Sequence, residues 1–363
     1  MAQSARVLLI GSTEAHTGKS ALVLGAANQL RDRGIPIAYS KPLGSFVEPK
    51  SVDSLLEEDV QLVATMLDLP PGRVGQPIAY FDERTFDRAF QEGSDRDLRQ
   101  QLCASVRSLA AELVLVEAPA TLTEGKLFEL TTEQMAEALD ASVLLVVRGR
   151  SPRSVDAVLA AKEQLGERLV GVSINSVPDS QRCLMAESVR PYLERHGIPV
   201  FGLLPSSELL ESVSVREIAN QLGARVLCCA NRLDLMVENL TIGAMNVNSA
   251  LRYFRKGRNL AVITGGDRSD LQLAAMETSA HCLILTGQVD PQEFILQRAE
   301  ALEVPILNVD LDTLTTVQIV ERVFARARIQ EPIKVDCVRE LMSEHFDLDR
   351  LLDAIQFNAP IST

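Results

Sequence analysis

The stretch Arg6-Val7-Leu8-Leu9-Ile10-Gly11-Ser12-Thr13-Glu14-Ala15-His16-Thr17-Gly18-Lys19-Ser20 constrains this chain more than any other. An apolar run stops at Gly11 and a short polar loop follows. Gly18-Lys19-Ser20 then opens a segment with apolar residues at helical spacing, namely Leu22, Val23, Ala26, Ala27 and Leu30. A strand that turns through a loop straight into a helix is the layout of a phosphate-binding loop. Backbone N–H groups and the helix N-terminus hold phosphates, the lysine adds a point charge, and the next hydroxyl reaches Mg²⁺. The strict pattern has glycine where this chain has Thr13, so the order of strand, loop and helix carries the reading. Thr13, Thr17, Gly18, Lys19 and Ser20 are the nucleotide-binding candidates; the alternative is a tight strand-to-helix turn without a ligand.

The rest of the chain fits that start. Up to about residue 205, β-branched runs at 7–10, 35–40, 113–117, 142–147, 169–174 and 200–203 alternate with helical patterns near 21–33, 55–67, 95–111 and 154–165. This pattern predicts an α/β fold, a P-loop NTPase-like, mostly parallel sheet with helices on both faces. A second alternating stretch has strands over 226–227, 239–242, 261–264, 282–286 and 306–309, with helices near 249–255, 270–278, 291–302 and 315–327. The expected domains are therefore 1–205, a linker helix within 206–222, a smaller α/β domain over 223–332, and a helical tail over 333–363. Val335, Val338, Leu341 and Met342 form a stripe on that tail, read as core or dimer interface because its polar face is acidic and lipid surfaces attract bases.

Bulk properties narrow the function classes. A chain of 363 residues is long enough for two full cores, and a formal charge of −13 argues against nucleic acid as a general partner. No 18-residue apolar run exists, and the N-terminus lacks the basic region and long apolar core of a signal peptide, so a cytoplasmic protein without a membrane partner is expected. Cys103, Cys183, Cys228, Cys229, Cys282 and Cys337 lack C-x-x-C spacing and lie mostly in apolar surroundings, which predicts buried thiols. The four histidines are too few and too dispersed for a histidine metal centre.

Four positions of the first domain carry candidate chemistry. Lys41 ends the second strand, where open α/β sheets present side chains to a ligand crevice. Asp59 follows Glu57 and Glu58 at the start of an apolar helix, either complementing the helix N-terminus or binding a metal. Glu117 ends the apolar strand 113–116 beside the phosphate loop, as a ligand of metal or water or as a hydrogen-bonded structural acid. Asn175 ends another buried strand, presenting its amide to a purine or forming a turn before Pro178.

Taken together, residues 5–205 resemble dethiobiotin synthetase. The segment 12–20 is similar to its phosphate loop, Lys41-Pro42 with Ser45 to its second-strand lysine motif, Asp59 and Val116-Glu117 to its metal-binding acids, and Asn175 to its adenine-reading asparagine. The resemblance implies ATP and Mg²⁺ as cofactors: Lys19 on phosphates, Ser20, Asp59 and Glu117 on the metal, and Lys41, the catalytic candidate, near the transferred phosphate. Two departures stand out. Ala118-Pro119-Ala120-Thr121 replaces a glycine-rich loop that approaches the substrate, and His16 replaces an acid. Proline lacks an N–H and cannot bend as glycine does, so dethiobiotin synthesis is not expected.

In the second domain, Leu260-Ala261-Val262-Ile263-Thr264-Gly265-Gly266-Asp267-Arg268-Ser269-Asp270 leads a strand through two glycines into a helix. Gly265 and Gly266 permit close backbone approach to an anion that Arg268 clamps; alternatively this is a tight turn with an Asp267–Arg268 surface pair. This run, with 239–245, 283–287 and 312–316, resembles the DRTGG domain. A dethiobiotin-synthetase-like domain followed by a DRTGG domain is similar to the N-terminal, non-catalytic part of long phosphate acetyltransferases. The resemblance implies a regulatory ATP-binding protein, a weak Mg-ATPase at most and without acetyl transfer. Its second domain would sense a small anionic metabolite or nucleotide or bind a partner enzyme, and the whole would be a homo-oligomer, a dimer. An ATP-dependent carboxylate or carbamate ligase is the rival.

Overall fold

The computed structural model describes residues 5–45, 58–92, 97–325, 327, 329 and 331–357. The expected helix starts at 55–57, with Glu57, and at 95–96 lie outside them, as does the side chain of Ser45. By compactness the chain divides into one unit of Met1–Ser206 with Gln330–Thr363 and another of Ser207–Ile329.

In the first unit seven strands form one parallel sheet: β1 (Arg6–Ser12), β2 (Ile37–Ser40), β3 (Val74–Gly75), β4 (Leu113–Glu117), β5 (Ser142–Arg148), β6 (Leu169–Val177) and β7 (Val200–Pro205). Their order is β3-β2-β4-β1-β5-β6-β7, with every neighbour parallel. The fold is α/β and P-loop NTPase-like, with helices on both faces of the sheet. Strand β1 is central because nearly all of it is apolar and buried. From it the chain first builds one side of the sheet and later the other, so the strand order reverses at β1, the place where such sheets bind ligands.

Several elements escaped the sequence pattern, among them the helical turns from Arg182 to Arg195 and the paired strands Leu43–Ser45 and Ala79–Phe81. Strand β3 spans two residues, too short to show a period. The Thr132–Leu139 helix carries a capping box from Thr131 and Gln134, a start signal present in the sequence. The Glu83–Glu92 helix is another.

The tail takes the first of its two expected readings, as core. Its Pro332–His345 helix packs on the Lys19–Asp32 helix, burying Val338 and Met342, while the Asp347 N–H donates to Phe201 O of edge strand β7 at 2.7 Å. Arg339 meets Asp32 at 2.9 Å, and Arg33 pairs with Asp349. Val338 and Met342 of the stripe are therefore core of the first unit, while Val335 and Leu341 are half-buried.

The second unit holds β8 (Arg225–Cys228), β9 (Asn239–Ile242), β10 (Leu260–Gly265), β11 (Ala280–Thr286) and β12 (Ile306–Asn308), in the order β8-β12-β11-β10-β9. Only the β8–β12 pair is antiparallel. The expected linker helix is Val215–Leu222, and it belongs to this unit's core. Val215, Ile218, Ala219 and Leu222 recur at i, i+3, i+4 and i+7, and that stripe is buried with residues of β10, β11 and β12. Ser214 Oγ caps it by accepting from Glu217 N–H, and Val213–Ser214 pairs with Met236–Val237.

All six cysteines are free thiols. Cys228 and Cys282 are buried, and burial pushes each thiol up to about 12. Cys183, however, is exposed, because its helix turns that face to solvent. Among the described residues no helix is long and apolar enough to cross a membrane.

Candidate functional site

The site grows from the end of β1. Ser12 closes that strand fully buried, and its hydroxyl donates to Ala120 O at 2.8 Å while accepting from Lys19 Nζ at 2.8 Å. The chain reverses with His16 and Gly18 in the left-handed region, φ 57° and 91°. At Gly18 a Cβ would lie 2.2 Å from Asn175 Nδ2, so only glycine fits. Gly18 begins the Lys19–Asp32 helix without a side-chain cap, which leaves the first-turn amides to other acceptors.

Lys19 is 8% exposed, and burial pulls its ammonium below the usual lysine range while the Glu117 carboxylate offsets part of the shift. Glu117 lies buried at the end of β4 with its two oxygens divided: Oε1 accepts from Ser20 Oγ at 3.1 Å and Oε2 from Tyr39 OH at 3.0 Å. Lys41, at the end of β2, forms an ion pair of 2.5 Å with Asp59 at the start of the Glu58–Met66 helix. Asn175 Nδ2 donates to Thr17 O at 2.8 Å, bracing the loop.

The structure thus brings Lys19, Ser20 and Glu117 to one place, with Thr17, Gly18 and Asn175 along its rim. Asp59 is committed to Lys41, although its charge also reaches Lys19. Thr13 lies in the loop, half-buried.

The donors suit a nucleotide carried with Mg²⁺. Thr17 Oγ1 is buried inside the loop without a hydrogen-bond partner, and a buried polar atom left that way costs about 1–3 kcal/mol. Among the described residues no group of three or more His, Cys, Asp or Glu gathers as a metal site. One carboxylate and one hydroxyl are nonetheless what Mg²⁺ takes from a protein when phosphates supply its other ligands.

In the second unit Gly265 ends β10, and a Cβ on Gly266 would lie 2.0 Å from Val289 O. Gln272, fully buried, donates to Gly265 O and Gly266 O at 2.9 and 3.1 Å and fixes the turn. Arg268 bonds Asp270 at 3.1 and 3.2 Å and Met245 O at 3.1 Å. The surface pair is thus Arg268–Asp270 instead of Asp267–Arg268. Asp270 opens the Ser269–Met276 helix, where its carboxylate faces back toward the guanidinium.

A protein-family model described as an AAA domain matches residues 6–214. The chain belongs to this AAA domain family. The DRTGG domain matches residues 217–323, behind the AAA domain. The phosphate acetyltransferase of Synechocystis sp. is 26% identical over 368 residues, 96% of this chain and 52% of that protein. That of Nitratidesulfovibrio vulgaris is 24% identical over 370 residues, 95% of this chain and 51% of its own. The chain spans about half the length of the curated relatives it matches. Among solved structures, the CBS and DRTGG domains of the regulatory region of Clostridium perfringens pyrophosphatase, complexed with the activator diadenosine tetraphosphate, align at TM-score 0.29 and 19% identity over 44% of this chain and 82% of that one. The septum site-determining protein MinD of Pyrococcus horikoshii OT3, complexed with Mg-ADP, aligns at TM-score 0.36 and 15% identity over 57% and 83%.

Four residues of the AAA domain site were not singled out from sequence. In sequence Ser12 is only part of the loop and Tyr39 only part of a strand. Arg148, at the end of β5, donates to His16 O at 3.0 Å and holds the loop backbone. Glu124 Oε2 accepts from Ala120 N at 2.5 Å and Thr121 N at 3.3 Å, while Thr121 Oγ1 accepts from Glu124 N at 3.2 Å. Thr121-x-x-Glu124 is a reciprocal cap legible in the sequence. It turns the Ala120 and Thr121 amides onto the chain's own carboxylate.

Proposed function

We propose that this chain is a cytoplasmic, ATP-binding regulatory protein whose AAA domain takes Mg-ATP and whose DRTGG domain senses a small anionic metabolite or nucleotide or meets a partner enzyme. The observation that carries the reading is the buried Lys19 ammonium beside an uncapped helix N-terminus, with the Ser20–Glu117 pair next to it. Lys19 and the loop amides hold phosphates; Ser20 and Glu117 hold Mg²⁺, with Asp59 behind them; Asn175 braces the loop through Thr17 O. Mg²⁺ supplies charge neutralisation at the phosphates. Self-association as a two-fold dimer belongs to the same proposal.

Calorimetry on the full chain tests the central claim. ATP should bind with Mg²⁺ and far more weakly with EDTA, and light scattering of the same sample should give about twice 39.7 kDa. No ATP heat with either would sink the reading. Steady dethiobiotin formation from diaminopelargonic acid, bicarbonate and Mg-ATP would instead promote the ligase rival, against which the self-capped 118–124 loop argues.

Arg268 is the cation that an anion would meet in the second unit. A thermal-shift screen of small anions and nucleotides should give hits in wild type that vanish in Arg268→Ala. Hits that survive in the variant would remove Arg268 from that role.

A further inference from the structure

A tyrosine is an odd choice for the middle of a sheet. Tyr39 is 0% exposed, in a strand buried at every residue, and phenylalanine would fill the same space without a hydroxyl to satisfy. Tyr39 pairs in register with Leu115 of β4, and Glu117 lies two residues further along that strand, on the same face. The hydroxyl donates to Glu117 Oε2 at 3.0 Å, while Ser20 Oγ holds Oε1 at 3.1 Å.

We propose that Tyr39 sets the metal preference of the site by holding Oε2 of Glu117 in a hydrogen bond, which favours one-oxygen ligation through Oε1, on the Ser20 side, over ligation by both oxygens. The proposal rests on the Mg-ATP reading above. A carboxylate ligating through one oxygen suits Mg²⁺, which demands near-octahedral ligation by single oxygens, and disfavours Ca²⁺, which accepts both oxygens of a carboxylate and a larger shell. Tyr39 acts through Glu117 and is a positioning residue.

The test is ATP titration of wild type and Tyr39→Phe, each with Mg²⁺, with Ca²⁺ and with EDTA. Loss of a partner that orients a metal ligand typically weakens metal binding by about 10–100-fold. The Mg²⁺-dependent affinity of Tyr39→Phe should accordingly fall at least about tenfold, the Ca²⁺-dependent affinity should hold or rise, and binding in EDTA should not move. Equal losses in all three media would show a packing role and overturn the proposal, as would an unchanged Mg²⁺ affinity. A wild type that binds no ATP overturns the Mg-ATP reading together with this one; Mg²⁺-dependent wild-type binding that Tyr39→Phe matches overturns this one alone. Should Tyr39→Phe not fold, 3-fluorotyrosine at the four tyrosines of the wild type reads the same contact by ¹⁹F NMR. The Mg-ATP and Ca-ATP complexes should then differ at the buried tyrosine, and coincident signals would overturn the proposal.

Discussion

Lys19→Ala should weaken Mg-ATP binding by about one to two decades while leaving the fold intact. Hydrogen bonds to charged groups contribute about 1.5–3 kcal/mol, and a decade of affinity is about 1.4 kcal/mol. The fold should survive because the lost ammonium is itself a buried charge whose removal relieves desolvation. Burial is the largest cause acting on Lys19 and lowers its pKa, so pH gives a second reading. As pH rises through the lowered value the ammonium is lost and phosphate affinity falls, earlier than for an exposed lysine. Stability moves the other way: between that value and the ordinary lysine pKa the unfolded chain binds more protons, so raising pH favours the folded state. Titrations of ATP against pH should show an alkaline loss in wild type that Lys19→Ala lacks. Equal affinities in the two proteins, or parallel pH profiles, would remove Lys19 from the phosphate contacts.

How much of this was legible depended on whether the signal lay along the chain or across it. The phosphate loop was readable because strand, reversal and helix are contiguous, and Glu117 because an acid closing a run as apolar as Leu113–Val116 has few places to go but a crevice. The fold class followed from the alternation of β-branched runs and helical spacings. Ser12, Tyr39 and Arg148 were not legible, since each acts through a partner 100 or more residues away or on a neighbouring strand: Ser12 on Ala120, Arg148 on His16, Tyr39 on Glu117. Strand order decides those meetings, and periodicity is silent on order. The pairing of Lys41 with Asp59 has the same origin, because both were named as separate candidates while the ion pair between them needed the β2 end and the Glu58–Met66 helix start to be adjacent. Arg268 shows the opposite case, where the partner two residues on outcompeted the one beside it because the helix start points Asp270 back at the guanidinium.

The tail stripe was legible as a stripe, and its covering surface was not; Met342→Ala distinguishes the two readings of it. Met342 is 1% exposed, and a Cβ on Gly25 of the Lys19–Asp32 helix would lie 2.2 Å from Met342 Cγ, so the methionine fills the notch that this glycine leaves. Truncating it empties that notch between two helices whose spacing is also held by Arg339 on Asp32, and partial collapse is all they can manage. Buried Met→Ala changes cost about 2–5 kcal/mol, which lowers Tm by roughly 4–20 °C for a unit of this size. Because Met342 is covered within its own unit, the fall should be independent of protein concentration and the mass by light scattering unchanged. A seam between two copies behaves differently, since mass action ties its apparent stability to concentration. A Tm that climbs with wild-type concentration and a Met342→Ala variant of halved mass would return the tail helix to the role of an interface; a small shift of under about 1 °C would show that Met342 is not packed as the Gly25 notch requires.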